Sequence, residues 1–251
     1  MEIDFSGQVA VVTGAASGIG KAVCEKLGKS GATIVMLDFN ASLLERTAAK
    51  LKSEGVPTDS YLVDISKEDE VSETISQINS QYGKIDILVN SAGIVGPTST
   101  NITEYSTEDF QKVYNINLLG SFLICKHTLP VMKQKGFGKI LLVASMAGKE
   151  GNPGMIGYST TKAGVIGMVK ALGKEYAQAG ISINGLAPAV IKTEMNADTS
   201  EEQLKYMKSK IPMGRIGTVE EVAEMIAFIV SKENSFSTGF IYDISGGRAT
   251  Y

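Results

Sequence analysis

The chain has 251 residues, 43% hydrophobic and 20% charged, with a formal net charge of -3. That length suits one large domain, and the sequence shows neither a basic face for nucleic acid nor the run of about 18 apolar residues that a membrane span needs. Its single histidine, His127, excludes a multi-histidine metal site, and with no nucleophile elbow nearby it also sets aside a Ser-His-Asp mechanism.

The opening stretch Met-Glu-Ile-Asp-Phe-Ser has acidic residues where a secretory signal would be basic, which predicts a cytoplasmic protein. Val9 to Val12 reads as a first strand, followed by a glycine-rich turn and a helix from Ile19 to Lys29. Further strands are expected at 34–37, 60–63, 85–89, 140–143, 181–184 and 240–244, with helices such as Ser42 to Ser53 and Lys67 to Tyr82 between them. Strands apolar on both faces that alternate with helices predict an α/β fold, a doubly wound parallel sheet of about seven strands with helices on both faces. Residues 188–217 are the least regular, with Pro188, Pro212, Gly214 and Gly217 around a charged helical piece, Ser200 to Lys210. They are expected to form a lid outside the carboxyl edge of the sheet. Cys24 and Cys125, far apart and inside helical patterns, read as buried free thiols in a reducing compartment.

The first turn runs Thr13-Gly14-Ala15-Ala16-Ser17-Gly18-Ile19-Gly20. Glycines there permit a tight connection, and they also let the backbone approach a pyrophosphate while helix-start amides favour its charge. Asp38, at the end of the second strand, supports the second reading: its carboxylate can accept hydrogen bonds from adenosine ribose hydroxyls and would repel a 2′-phosphate. No Arg or Lys occurs among Ala15, Ala16 and Ser17 to offset that repulsion, so NAD(H) is expected over NADP(H). Tyr158 and Lys162, four residues apart, project from one helix face.

The Gly-x-x-x-Gly-x-Gly spacing together with Tyr158-x-x-x-Lys162 resembles the short-chain dehydrogenase/reductase family, and five motifs in order extend the resemblance over essentially the whole chain. It implies a single NAD(P)-binding Rossmann-type domain over 1–251. Thr13, Gly14, Gly18 and Gly20 match its cofactor turn, which also holds Ser17 and Ile19; Asp64, with Ile65 beside it, matches its adenine contact. Asn90-Ser91-Ala92-Gly93 is similar to its Asn-Asn-Ala-Gly segment, with Ser91 for the second asparagine, so Asn90 and Gly93 carry over. Residues 188–193 resemble its Pro-Gly-x-x-x-Thr stretch at the nicotinamide carboxamide, with Ala189 for glycine, and add Ile191 and Thr193 as contacts.

Asn117, Ser145, Tyr158 and Lys162 fall where the family keeps its catalytic tetrad. The resemblance makes Tyr158 the general acid/base and has Lys162 lower its pKa and hold the nicotinamide ribose. Ser145 would hydrogen-bond the substrate oxygen, and Asn117 would anchor a water that carries the proton onward. From the residues alone, Ser145 also suits a helix cap and Asn117 a mid-helix polar position. Lowering a tyrosine pKa by about 3 units takes about 4 kcal/mol of phenolate stabilisation.

The substrate wall is expected at Gly96, Pro97, Gly148 to Met155 and Ile191 to Asn196, made polar by Glu150, Asn152, Glu194 and Asn196. Ala147 to Pro153 and the tail Asp243 to Tyr251 are similar to members acting on sugars, polyols or 2-keto-3-deoxy sugar acids such as the rhamnonate and fuconate intermediates. The competing reading is a 3-oxoacyl-carrier-protein reductase, against which stand Asp38 and Lys174. A non-catalytic NAD(H) sensor is the reading from another class, disfavoured by the presence of both Tyr158 and Lys162. The family resemblance also implies a homotetramer, with apolar stripes at Leu118, Leu119, Phe122, Leu123 and at Val165, Met168, Val169, Leu172, although the same stripes suit packing on the sheet.

Overall fold

The structure, a computed structural model, describes residues 3–193, 201–249 and 251. Seven parallel strands, β1 (Val9–Thr13), β2 (Thr33–Asp38), β3 (Thr58–Leu62), β4 (Ile87–Asn90), β5 (Gly138–Val143), β6 (Ile181–Pro188) and β7 (Ile241–Ile244), lie in the order β3-β2-β1-β4-β5-β6-β7. The chain winds outward from β1 to β3, returns to place β4 beside β1, and winds outward again. The reversal opens a crevice at the carboxyl ends of β1 and β4, where open α/β sheets take ligands.

Because successive strand side chains alternate, β1 feeds two cores. Ala10 and Val12 pack with Leu27, Met36 and Ile226 under α1 (Gly18–Lys29), α2 (Ala41–Ser53) and a helix at Val219–Val230. Val9 and Val11 pack with Leu88, Ile124 and Val169 under α3 (Glu68–Tyr82) and two later helices. Cys24 belongs to the first core and Cys125 to the second, so the sheet separates the two buried free thiols.

Strands buried on both faces hold for the interior of the sheet, where every residue of β1, β4 and β5 is buried. The edge strand β3 departs from the expectation and alternates, with Ser60 and Leu62 exposed beside α2, because no further strand pairs beyond it. β4 begins at Ile87 and not at Ile85, since the Asp86 carboxylate takes the Val9 N–H at 2.8 Å, in place of a backbone acceptor.

The second half builds α4 (Thr107–Tyr114), a π-helical turn (Asn115–Leu119), α5 (Gly120–Lys135), α6 (Met146–Glu150), α7 (Ile156–Glu175), α8 (Glu201–Ser209) and α9 (Val219–Val230), the last opened by a Thr218/Glu221 capping box. Of the expected lid, α8 realises the charged helical piece, and the two ends are clasped: Lys192 N donates to Gly217 O at 2.9 Å and Gly217 N to Val190 O at 3.0 Å. Glu194 and Asn196 lie outside the described residues. No helix among the described residues is long and apolar enough to cross a membrane.

Candidate active site at the sheet reversal

The glycine turn is folded as tightly as its composition suggests. Gly14 and Gly18 have φ of 60° and 53°, a region only glycine enters freely. A Cβ on Gly14 would lie 2.9 Å from Ala92 N and Cα, and one on Gly20 would overlap the Gly14 carbonyl oxygen. The turn therefore presses on the Asn90–Gly93 segment and on the start of α1. Ser17 occupies the cap position but its side-chain oxygen accepts no first-turn N–H, so the helix start lacks a side-chain cap. Across the turn, a Cβ on Gly18 would rest 3.7 Å from Thr193 Cγ2. Ile191 is buried beneath, and its Cδ1 would meet a Cβ on Gly217 at 2.7 Å.

Asp38 closes the other side of this cradle. Its Oδ2 accepts Ala16 N at 3.0 Å and its Oδ1 accepts Asn40 N at 2.9 Å, leaving each oxygen a further lone pair. One carboxylate thus shapes the turn and still has acceptors to offer. Asp64 Oδ1 accepts the Ser66 N–H at 3.0 Å and its hydroxyl at 2.7 Å, and Ile65 is buried against Gly120. A cavity of about 550 Å³ opens beside Asp64, with Ser66, Lys112, Asn115 and Ile116 in its wall and none of the tetrad side chains. An uncapped helix start, glycines that leave no room for a side chain and a carboxylate with spare lone pairs fit a dinucleotide.

The four tetrad residues gather next to that cradle. Lys162 Nζ is buried, donates to Val143 O at 2.7 Å and lies 5.7 Å from the centre of the Tyr158 ring. A Cβ on Gly93 would stand 3.4 Å from Lys162 Nζ and 3.1 Å from Asn117 Oδ1, so the bare Gly93 backbone is the floor between lysine and asparagine. Ser145 caps α6, accepting Ala147 N at 3.1 Å, and its hydroxyl also reaches Tyr158. The cap reading open in the sequence is thus realised by this serine.

Asn117 sits on the π-helical turn and not in a regular helix. Its Oδ1 accepts Ile94 N at 2.8 Å, and its Nδ2 donates to Ile94 O at 2.9 Å and to Thr161 Oγ1 at 3.3 Å. Its main-chain carbonyl accepts the Ser121 hydroxyl at 2.6 Å. From there a buried relay runs back to the glycine turn: Asn90 Nδ2 donates to Ser121 Oγ at 2.7 Å, and Thr13 Oγ1 to Asn90 Oδ1 at 2.5 Å. Ser121 and Thr161 escaped the sequence reading. The only available signal was a hydroxyl at i+4 from Asn117, and another one residue before Lys162.

Ala189 replaces the family glycine without strain, since among the described residues Ser99 is the only non-glycine with positive φ. Ser91 leaves the Asn90–Gly93 path intact, because the turn packs on its backbone. The polar wall residues Glu150 and Asn152 prove to be engaged, both accepting from Arg248. His127 pairs with Glu68 Oε1 at 3.2 Å on α3, away from the tetrad.

Burial dominates the titration of both Tyr158 and Lys162. It pushes the Tyr158 phenol up from its ordinary value, with the Ser145 hydrogen bond pulling the other way. It pulls the Lys162 ammonium down to about 8, leaving it mostly charged at neutrality but close to release. The unfolded chain, with a lysine value of 10.5, therefore binds more protons between about pH 8 and 10.5, and stability rises with pH across that window. Wild type relative to Lys162→Met is expected to gain about 3 kcal/mol between about pH 7 and 10.5, measured by urea unfolding of both proteins. A pH-independent difference would mean that the lysine is not desolvated.

Comparison with known proteins gives the same picture from another direction. A family model described as enoyl-(acyl carrier protein) reductase matches residues 14–249. The 2-dehydro-3-deoxy-L-rhamnonate dehydrogenase (NAD(+)) of Sphingomonas sp. (strain SKA58) is 41% identical over 247 residues, 98% of this chain and 97% of that protein. The 3-oxoacyl-(acyl-carrier-protein) reductase FabG of Thermotoga maritima is 38% identical over 245 residues, 97% of this chain and 98% of that protein. Among solved structures, NAD+-bound xylitol dehydrogenase superposes with a TM-score of 0.91 at 32% identity, covering 97% of this chain and 99% of that one. With its doubly wound sheet, its glycine turn and its Tyr158–Lys162 pair matched along nearly the full length, the chain belongs to the short-chain dehydrogenase/reductase family.

Proposed function

We propose that the chain is an NAD(H)-dependent oxidoreductase for a secondary alcohol or ketone of a sugar, polyol or 2-keto-3-deoxy sugar acid, working as a cytoplasmic homotetramer. The observation that carries the reading is the convergence of a buried lysine, a tyrosine and a serine hydroxyl beside a glycine turn whose ribose side is a carboxylate. The pyrophosphate would lie on Gly14, Ser17, Gly18, Ile19 and Gly20, the adenosine ribose on Asp38 and the adenine by Asp64 and Ile65. Asn90, Gly93, Ile191 and Thr193 would border the nicotinamide end. When bound, the cofactor supplies the hydride acceptor.

The chain's own groups handle the proton. Ser145 donates its hydroxyl hydrogen to the substrate oxygen, and Tyr158 takes the proton from that oxygen as hydride leaves the carbon. The Lys162 ammonium favours the phenolate electrostatically, offsetting the burial that opposes it, and holds the nicotinamide ribose. Asn117, fixed by Ile94 and Thr161, would anchor the water that carries the proton away.

The rhamnonate-type relative supports a sugar acid. The carrier-protein reductase reading draws on the second relative and on the family description, and Asp38 weighs against the NADPH use common among such enzymes. For the assembly, Leu123, Val165 and Val169 are consumed in the subunit core, while Phe122 stays 48% exposed with Leu118, Leu119, Met168 and Leu172 only partly covered. The test is a screen of sugars, polyols and sugar acids for NADH formation, with acetoacetyl thioesters run in the reductive direction. Turnover of the thioesters alone would exchange the first reading for the second.

A further inference from the structure

Ser145 and Tyr158 stand at the two ends of a loop that runs through α6 and residues 151–155; its first half packs on α7, where a Cβ on Gly148 would meet Lys162 C at 2.6 Å, and its second half, 151–155, is the less supported part. At five residues α6 is too short to persist alone. Gly151 and Gly154 each have a φ of 75°, giving the backbone two places to swing. On the inner side Thr100 N donates to Gly154 O at 3.2 Å, and a Cβ on Gly154 would meet Ser99 Cα at 2.8 Å.

The outer side is held by residues from the far end of the sequence. Arg248 Nε and Nη2 donate to Glu150 Oε2 at 2.9 and 2.6 Å, and Nη2 also reaches Asn152 Oδ1 at 3.3 Å. Asn152 in turn donates its N–H at 3.0 Å to Ser159 Oγ, one residue beyond Tyr158. Tyr251 adds a hydrogen bond from its hydroxyl to Lys149 O at 2.6 Å, with the Lys149 ammonium 5.0 Å from its ring centre. The Arg248 side chain is 10% exposed, so this is not a freely solvated ion pair of negligible worth. Removing it would strand the Glu150 carboxylate in a partly dry place.

The opposite face of the same turn lies on the end of the lid. Met213 N donates to Gly246 O at 3.1 Å, a Cβ on Gly246 would meet Ile211 Cγ2 at 2.7 Å, and Gly247, with φ of 90°, rests against Pro212. Ser245 pins the turn to the end of β7, donating to Asp243 Oδ1 at 2.7 Å and accepting Ala249 N at 3.0 Å. The two glycines are what allow the chain to pass between lid and loop.

We propose that residues 245–249 and Tyr251 form a latch joining residues 211–213 to the catalytic loop, with Arg248 as a positioning residue that acts on Ser145 and Tyr158 through Glu150 and Asn152. Its kinetic consequence rests on the oxidoreductase reading; its structural consequence does not. The experiment compares wild type, Arg248→Met and Arg248→Lys by steady-state kinetics, NADH titration and amide hydrogen exchange. Arg248→Met is expected to lower kcat for the alcohol by about 10- to 100-fold, as misplacement of a catalytic group does. Its NADH Kd should stay within about twofold, since the cradle shares no partner with the latch. Exchange should speed up over 146–159 and 208–214 and nowhere else, and Arg248→Lys should recover part of both effects. Unchanged exchange in the loop overturns the latch, as does an unchanged kcat or a parallel loss of NADH binding. If wild type turns over no alcohol, the oxidoreductase reading fails, while the exchange comparison still decides the latch.

Discussion

Tyr158→Phe is expected to lower turnover by about 10²- to 10⁴-fold while leaving NADH binding in place, the range that general acid-base catalysis supplies. The substitution removes one oxygen and keeps the ring over which Lys162 sits, so the packing of α7 and the lysine contact to Val143 are retained. Single-turnover rates separate the chemical step from binding, and NADH fluorescence titration reports the cradle. A variant that keeps a tenth or more of wild-type turnover would move the acid/base role to another group. His127, the residue type most often used for proton transfer, is on the surface with Glu68 and offers no substitute.

Asp38→Ser should raise the KM for NAD+ by about 10- to 100-fold, the worth of hydrogen bonds to a charged acceptor, and should shrink the preference over NADP+ by a similar factor. Two effects combine there. The ribose loses its acceptor and the repulsion of a 2′-phosphate disappears, but Ala16 N also loses the oxygen that shapes the turn. Asp38→Asn removes the charge and keeps one acceptor for Ala16 N, at the cost of turning its NH2 toward Asn40 N. Equal ratios of kcat/KM for the two cofactors in wild type and Asp38→Ser would remove Asp38 from cofactor selection.

The parts of this molecule that were legible in the sequence are those written in local composition. Interior strands announced themselves because helices cover both faces, whereas β3 was misread as two-faced because nothing in its residues says that it is an edge. The glycine turn and Asp38 were legible because backbone conformation and a carboxylate are local requirements. The Arg248 contacts were not, since Arg248 and Glu150 lie 98 residues apart and meet only once β7 has paired with β6. Neither was the Thr13–Asn90–Ser121–Asn117 relay, which joins four elements through residues that each look like an ordinary polar residue in an apolar run.

The π-helical turn at Asn115–Leu119 sets a limit on how this protein could be simplified. A π turn holds one residue more than the α-helix it interrupts. Deleting a single residue there would give α4 and α5 one continuous, better-formed helix. It would also rotate α4 by about 100° relative to α5. Val113 would leave the site where it is now buried. A redesign that scored only helical regularity would accept that deletion. The extra residue thus sets how α4 packs relative to α5, and one irregular turn carries that orientation.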